Sequence, residues 1–341
     1  MMRTMVPEHC NRRPTISVVM PVHNASRYLR HSLPPLLRSG GPQLLEVIVV
    51  DDGSTDRSNE LARDCGARVV SGGARLGPAG ARNLATREAR GDIVVFVDAD
   101  VVVHSDTVDR LAEAFARPET VAVFGSYDDR PADTGFSSRY MNLRHHHGHR
   151  HPSDDAQTFW SGLGAVRRNA FLAIDGFDAA RFATPSVEDI DLGRRLRQAG
   201  GRIRRLPEIQ GTHLKRWTLR SVIHTDILRR GLPWARMMMA YPGAFTDLNV
   251  RGRERLKAVL AATLWLSVLV ATTGTGPLWV PALLLLAAAI ANWQLIALFA
   301  RSGGWWMALR GGLFHQVYYL YSAITYVAAA IEHRLGLTRP R

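Results

Sequence analysis

Lysine is almost missing from this chain. Of 43 basic side chains in 341 residues, only Lys215 and Lys257 are lysines; the rest are arginines. A P-loop needs Gly-x-x-x-x-Gly-Lys-Ser/Thr, and neither lysine stands in such a run, so that route to a nucleotide phosphate is excluded. Cysteine is equally scarce. Cys10 and Cys65 make neither a disulfide framework nor a Cys-x-x-Cys metal site, and a reducing compartment is the plain expectation. The first residues, MMRTMVPEHCNRRP, contain no apolar h-region, so no secretory signal is expected. The turn after the first apolar strand reads PVHNAS and contains no glycine, which excludes the Gly-x-Gly-x-x-Gly dinucleotide fingerprint. What remains in excess is arginine, giving a net charge of +13. A surface of that sign suits nucleic acid and anionic lipid alike.

Long apolar runs are confined to the last quarter. Segments 258–273, 278–299 and 313–331 are each near the length of a bilayer span of about 20 residues. The first is short, and the third contains His315 and Gln316. Arg251, Arg253, Arg255 and Lys257 precede them, a cluster expected on the cytoplasmic side. Arg301 and Arg310 flank the second link and place it on that side too. Three spans then leave Arg334, Arg339 and Arg341 across the bilayer, against the same rule. A buried helical core is the alternative for these segments. The organisation expected is a tail at 1–14, an α/β domain at 15–250, and a membrane region at 251–341 with two to three transmembrane helices. That makes a multi-pass protein of the inner (cytoplasmic) membrane with its α/β domain in the cytoplasm.

Residues 15–250 alternate between short apolar strands and helical stretches. ISVVM, EVIVV and IVVFV read as strands, Val69-Val70 as a further short one, and 26–38, 54–64 and 79–90 as helices. Asp52-Gly53-Ser54-Thr55 reads as a helix-capping sequence. Such alternation predicts a parallel sheet with helices on both faces, and these sheets bind ligands at the carboxyl ends of their strands. Three polar clusters fall there: Pro21-Val22-His23-Asn24, Asp51-Asp52-Gly53 and Asp98-Ala99-Asp100.

The third cluster interrupts a run, VVFVDADVVV, that otherwise reads as a buried strand. Unpaired buried carboxylates cost several kcal/mol or more, so the pair is expected at a strand end facing a cleft. Residues i and i+2 of a strand point to one side, which aims Asp98 and Asp100 at one cation. A solvated turn is the bland alternative. Downstream, GARLGPAG has the wrong spacing for a dinucleotide loop. It suits a loop whose backbone, at Gly77, approaches a phosphate or ribose, with Arg82 in the following helix turn near a diphosphate.

PVHNASRYLRHSL, VIVVDDGSTD, ARLGPAGARNLA, GDIVVFVDAD and PSVEDIDLGRRLRQAG, in that order over about residues 15–215, resemble the family 2 glycosyltransferases of GT-A fold. The resemblance implies sugar transfer from a nucleotide diphosphate sugar, with inversion and a divalent metal, Mn2+ or Mg2+. It places His23, Asp52 and Asp98 on the nucleotide sugar, Asp98 and Asp100 at the metal, and Asp189 as general base; Pro21, Asn24, Gly77 and Arg82 join the nucleotide-sugar residues by their places at the strand-end and glycine loops. Ala25 stands where the family often has an acidic residue. The Gln-x-x-Arg-Trp motif of processive synthases is altered, with His213 in the Gln place before Arg216-Trp217, which favours a single transfer over polymerisation.

The residues support those roles on chemical grounds. Carboxylates suit a hard cation that offsets charge on a departing diphosphate. His213 is a candidate third ligand, and imidazole suits Mn2+ better than Mg2+. Glu188 and Asp189 stand at a helix start, where a capping acid is the plain reading and a proton acceptor the sharper one. The resemblance also implies that Trp160 and Gly162, with Glu188, lie on the acceptor side; a core tryptophan is the alternative reading of Trp160. The run RHHHGHRH at 144–151 reads as a basic loop near an acceptor phosphate or the membrane surface. The reading is a membrane-anchored inverting glycosyltransferase, with a UDP-sugar favoured. Its expected partners are the donor, a lipid-linked or membrane-proximal acceptor and the membrane, and no nucleic acid. The alternatives are a non-catalytic membrane protein binding nucleotide or anionic lipid, and a nucleotidyltransferase on a similar sheet.

Overall fold

A computed structural model describes residues 13–245 and 252–337. The chain runs β1 (Ile16–Val22), α1 (Ser26–Arg38), β2 (Leu44–Asp51), α2 (Ser58–Asp64), β3 (Arg68–Ser71), α3 (Gly77–Glu88), β4 (Ile93–Val97), β5 (Val101–Val103), α4 (Thr107–Ala114), β6 (Thr120–Tyr127), α5 (Phe136–His149), β7 (Leu163–Arg167), α6 (Arg168–Ala173), α7 (Glu188–Gln198) and β8 (Arg202–His213). Then come α8 (Leu219–His224), a π-helical turn (Thr225–Gly231), α9 (Leu232–Ala240), α10 (Gly252–Thr272), α11 (Trp279–Ala291) and α12 (Trp293–Arg334).

Eight strands form one sheet in the order β3-β2-β1-β4-β7-β6-β8-β5. The half built from β3, β2, β1 and β4 is parallel, as expected. Beyond β4 the sheet is mixed, because β7 runs antiparallel to both β4 and β6, and β5 antiparallel to β8. Alternation along each strand sorts the core into two layers. Val18, Met20, Val95 and Val97 face α1 and α4, packing on Leu29, Leu33, Leu36 and Leu111. Val19, Ile48, Val94 and Phe96 face α3 and α7, packing on Ala81, Ala85, Leu192 and Leu196. Each fully buried side chain of this kind contributes about 1.5–3 kcal/mol. The strand ends are thereby fixed by apolar packing on both faces.

VVFVDADVVV is two strands rather than one. β4 ends at Val97, Asp98-Ala99-Asp100 turns, and β5 leaves to pair with β8, Val101 opposite His213. The turn, not the pleat, brings the two carboxylates to the cleft. The helix expected from 54 begins at Ser58. Gly53 takes φ +75, and Asp56 accepts the Ser58 N–H at 3.0 Å, so 52–57 is a loop. The third helix begins two residues early because Pro78 fits the first helical turn.

In the last quarter α10 covers the first apolar segment, and it is one helix long and apolar enough to cross a membrane. The second segment is broken at Asn292, where α11 and α12 bend by 77°; together they make at most one further stretch of that kind. The third segment is not a separate span. It is the latter part of α12, beyond a kink at Gly303 and Gly304, and His315, Gln316, Tyr319 and Thr325 are buried on it. Three independent spans are therefore not found among the described residues. Arg251, Arg339, Arg341, the expected tail to residue 12 and the expected boundary at 250 lie outside the described residues.

Candidate active site

The carboxyl ends of β1, β2 and β4 open into a cleft of about 980 Å³. Val22 pairs with Asp51 at the last register position, so the loops that follow meet side by side. His23 Nδ1 contacts the Asp52 carbonyl at 2.9 Å. Asn24 takes φ +51, a left-handed conformation that Asn tolerates better than most residues. Its side-chain oxygen accepts the Thr55 N–H at 2.8 Å, clamping the two loops together. Asp52 is buried, and its Oδ1 accepts the Leu76 N–H at 2.5 Å, which ties the glycine loop to the same wall. Gly77 has φ +72, and a Cβ there would collide with the Ala183 carbonyl oxygen.

Arg82 lies deeper than a solvent-facing diphosphate clamp. It is buried and donates to Asp98 at 2.6 Å and Glu188 at 3.4 Å. Burial opposes its charge, yet the two carboxylates hold it protonated above the ordinary guanidinium range. Asp98 is pushed up by burial and by Asp100, with Arg82 opposing. Its Oδ1 is committed to that arginine.

Asp100 faces His213 across 3.6 Å, Oδ2 to Nε2. Burial acts to raise Asp100, but the neighbouring His213 imidazole, with Lys215, holds it below the usual carboxylate range. Tyr127 stacks on His213 at 4.2 Å between centroids and 13° between planes, fixing the imidazole. Hard carboxylate oxygen and imidazole nitrogen form a donor pair that suits Mn2+ or Mg2+. Among the described residues no three His, Cys, Asp or Glu side chains gather as a metal cluster. A divalent ion held by Asp100 and His213 would complete its shell with phosphate oxygens and water, as Mg2+ usually does.

Asp189 sits in the first turn of α7, where the Ser161 N–H reaches its Oδ2 at 3.3 Å and the Ile190 N–H its Oδ1 at 2.9 Å. Burial and the neighbouring Glu188 outweigh those donors and push its carboxyl up to about 7. An acid poised there is half ionised near neutral pH, the condition for proton transfer in either direction. Glu188 is held differently, by Arg82 and by the Ser186 N–H at 2.7 Å.

Pro21, His23, Asn24, Asp52, Gly77, Arg82, Asp98, Asp100, Glu188, Asp189 and His213 all line the cleft. Trp160 and Gly162 stand behind its wall: Trp160 packs on Tyr127 and His145, and the Gly162 carbonyl accepts the Asp98 N–H at 3.1 Å. The histidine run is the end of α5 and not a loop, and His145 is one of the cleft's walls. Burial holds His145 well below its ordinary value, so it adds no charge there. Tyr127, Lys215, Arg229 and Arg230 also line the cleft, as does Trp217 of the altered motif. Of the other four only Lys215 carries a signal in the sequence, as one of two lysines; the arginines are lost among so many others.

The glycosyl transferase family 2 profile matches residues 17–175, and that of the N-terminal domain of galactosyltransferase matches 142–217. An uncharacterized glycosyltransferase of Haemophilus influenzae is 33% identical over 33% of this chain and 47% of its own length. The pre-mycofactocin glycosyltransferase of Mycobacterium tuberculosis is 28% identical over 70% of this chain and 48% of its own. The chain thus spans less than half the length of these curated relatives. Among solved structures, a mannosyltransferase from Pyrobaculum calidifontis in complex with GDP-Man and Mn2+ superposes with TM-score 0.61 at 22% identity, over 93% of this chain and 88% of that one. That likeness establishes the GT-A fold. Over residues 17–175, with those motifs brought to one cleft, the chain matches glycosyl transferase family 2.

Proposed function

We propose that the protein transfers one sugar, with inversion, from a nucleotide diphosphate sugar to a lipid-linked or membrane-proximal acceptor, anchored in a membrane through its C-terminal helices. One observation carries this: Asp52, the Asp98–Arg82 pair, the Asp100–His213 pair and Asp189 line a single cleft. The curated relatives with glycosyltransferase names and the mannosyltransferase with its bound Mn2+ support the reading.

The nucleobase is held by Asp52. Its Oδ1 already accepts the Leu76 N–H, leaving Oδ2 as the oxygen for a base. One such acceptor matches the single ring N–H of uracil better than the paired donors on guanine's edge, which supports a UDP-sugar. Asp100 and His213 would hold a divalent cation, which when bound offsets the negative charge gathering on the leaving diphosphate. Arg82 opposes the burial that raises Asp98 and orients its carboxylate toward the ribose and phosphates. Asp189 accepts the proton of the acceptor hydroxyl while that oxygen forms its bond to C1. The C1–oxygen bond to the diphosphate breaks on the opposite face, and the nucleoside diphosphate departs. A single displacement inverts the anomeric centre. Glu188 is committed to Arg82 and the Ser186 N–H, so it does not compete as a second nucleophile. The altered motif at His213, Arg216 and Trp217 supports one transfer per acceptor.

Thermal unfolding of the purified chain against a panel of nucleotide sugars, with and without Mn2+, tests the donor. A UDP-sugar at a hundredfold its Kd should stabilise by about 2.7 kcal/mol, and only with the metal. No stabilisation by any donor overturns the reading.

A further inference from the structure

A second cavity, of about 780 Å³, lies among α10, α11 and α12. Phe136, Leu264, Ala282, Leu285 and Phe314 line it, and Arg310 is the charged residue at its wall. It is joined to the catalytic cleft by shared elements. Phe136 opens α5, and Met141 and His145 on the same helix line the cleft about one and a half to two and a half turns on. Trp217 is the second joint. On the cleft side its ring carries Lys215 Nζ at 4.2 Å, and on the other it belongs to an apolar cluster with Tyr140, Phe299 and Met307, against which Phe136 and Phe314 pack.

The charges of the cleft complement this apolar route. Lys215, Arg229 and Arg230 line it on the side of the base loop, where the Arg229 carbonyl accepts from Ser186 Oγ at 3.0 Å. None of the three makes an ion pair with a described carboxylate. Cations that no carboxylate pairs with, beside the Asp189 turn, fit an anionic group, and an apolar cavity one helix away fits hydrocarbon.

We propose that this cavity binds the hydrocarbon chain of an amphipathic acceptor whose anionic head, carrying the hydroxyl that Asp189 deprotonates, occupies the cleft beside Lys215, Arg229 and Arg230. The inference rests on the glycosyltransferase reading and names the acceptor's class. The chain lies between helices rather than along their outer faces, where Leu266, Leu269 and Ile290 are exposed. Trp217 marks where apolar chain gives way to charged head.

The test uses the full chain in phosphatidylcholine nanodiscs with a sixteen-carbon alkyl phosphate bearing a diazirine at mid-chain, and a diazirine phosphatidylcholine as the neutral probe. After irradiation and proteolysis, tandem mass spectrometry that localises the adduct to single residues should find the alkyl phosphate on Leu264, Leu285 and Phe314 at least fivefold over Leu266, Leu269 and Ile290. Filling the cavity by Ala282→Trp, or by Val268→Phe as a second variant, should remove that preference while donor hydrolysis and donor-induced stabilisation stay as in the wild type. Equal labelling of inner and outer faces, or labelling unchanged by both variants, overturns the proposal. So does the same pattern from the neutral probe. Donor hydrolysis is read in the same samples, so loss of the lipid site is distinguished from failure of the glycosyltransferase reading.

Discussion

Replacing Asp189 by Asn removes a base and keeps its shape. Burial and Glu188 raise this carboxyl to about 7, and only its ionised form can take the acceptor's proton. In the free enzyme kcat/KM should therefore fall about tenfold for each pH unit below that value, the behaviour of one essential base. Asp189→Asn should lower kcat by about 10²–10⁴ at pH 8 and abolish that acidic limb, with donor KM held within a few-fold. The stability sign is opposite. A carboxyl raised in the folded state binds its proton more tightly there than in the unfolded chain, so its contribution is present below about 4 and lost as pH rises to about 7. The Asn variant, which cannot ionise, should melt no lower than the wild type at pH 8, which excludes unfolding as the cause of lost turnover. The assay is release of nucleoside diphosphate from a bound donor, with water in the acceptor's place. A wild-type profile flat through pH 7, or an Asn variant within tenfold of wild type, refutes the reasoning.

Asp100→Ala should lower transfer by about 10²–10³, from several kcal/mol of metal-assisted charge stabilisation, and remove Mn2+-dependent donor stabilisation; full activity in excess chelator contradicts this. Asp52→Ala should raise donor KM by about 1.5–3 kcal/mol equivalent with a smaller effect on kcat, measured by initial rates and donor calorimetry. Gly77→Ala places a side chain at φ +72 and against the Ala183 carbonyl, so it should cost about 1–3 kcal/mol and raise donor KM together with a lower Tm. An Ala variant with wild-type Tm and KM shows that the glycine loop and base loop do not meet in solution.

Much of the site was legible because its residues follow strands whose apolar composition is unambiguous. ISVVM, EVIVV and IVVFV each end where a polar cluster begins, and the parallel pairing of β2, β1 and β4 carries those clusters to one edge. Asp189 was legible from the acidic start of α7, where a helix N-terminus favours an anion. Arg82 was placed at the cleft, but its carboxylate partners were not legible, since no local signal shows that a helix residue will pair with carboxylates sixteen and 106 positions away. Period-two reasoning failed at Asp98 and Asp100 because valines on both sides of a turn look like one strand. The histidine run was misread for the opposite reason: polar composition suggested a loop, while packing on Tyr127 and Trp160 holds it as helix. In the last quarter hydropathy alone could not show that Asn292 breaks one segment, or that His315 Nδ1 on α12's inner face shares a hydrogen bond with the Tyr140 hydroxyl at 2.9 Å.

The central claim is that the cleft breaks the bond between a sugar's C1 and a nucleoside diphosphate. Phosphorus NMR of the purified full chain with Mn2+ and the donor that stabilises it most reads this directly. The account predicts that nucleoside diphosphate accumulates as the sole phosphorus product, in the wild type and not in Asp100→Ala. Release of pyrophosphate, or an unchanged donor spectrum over many hours, contradicts it.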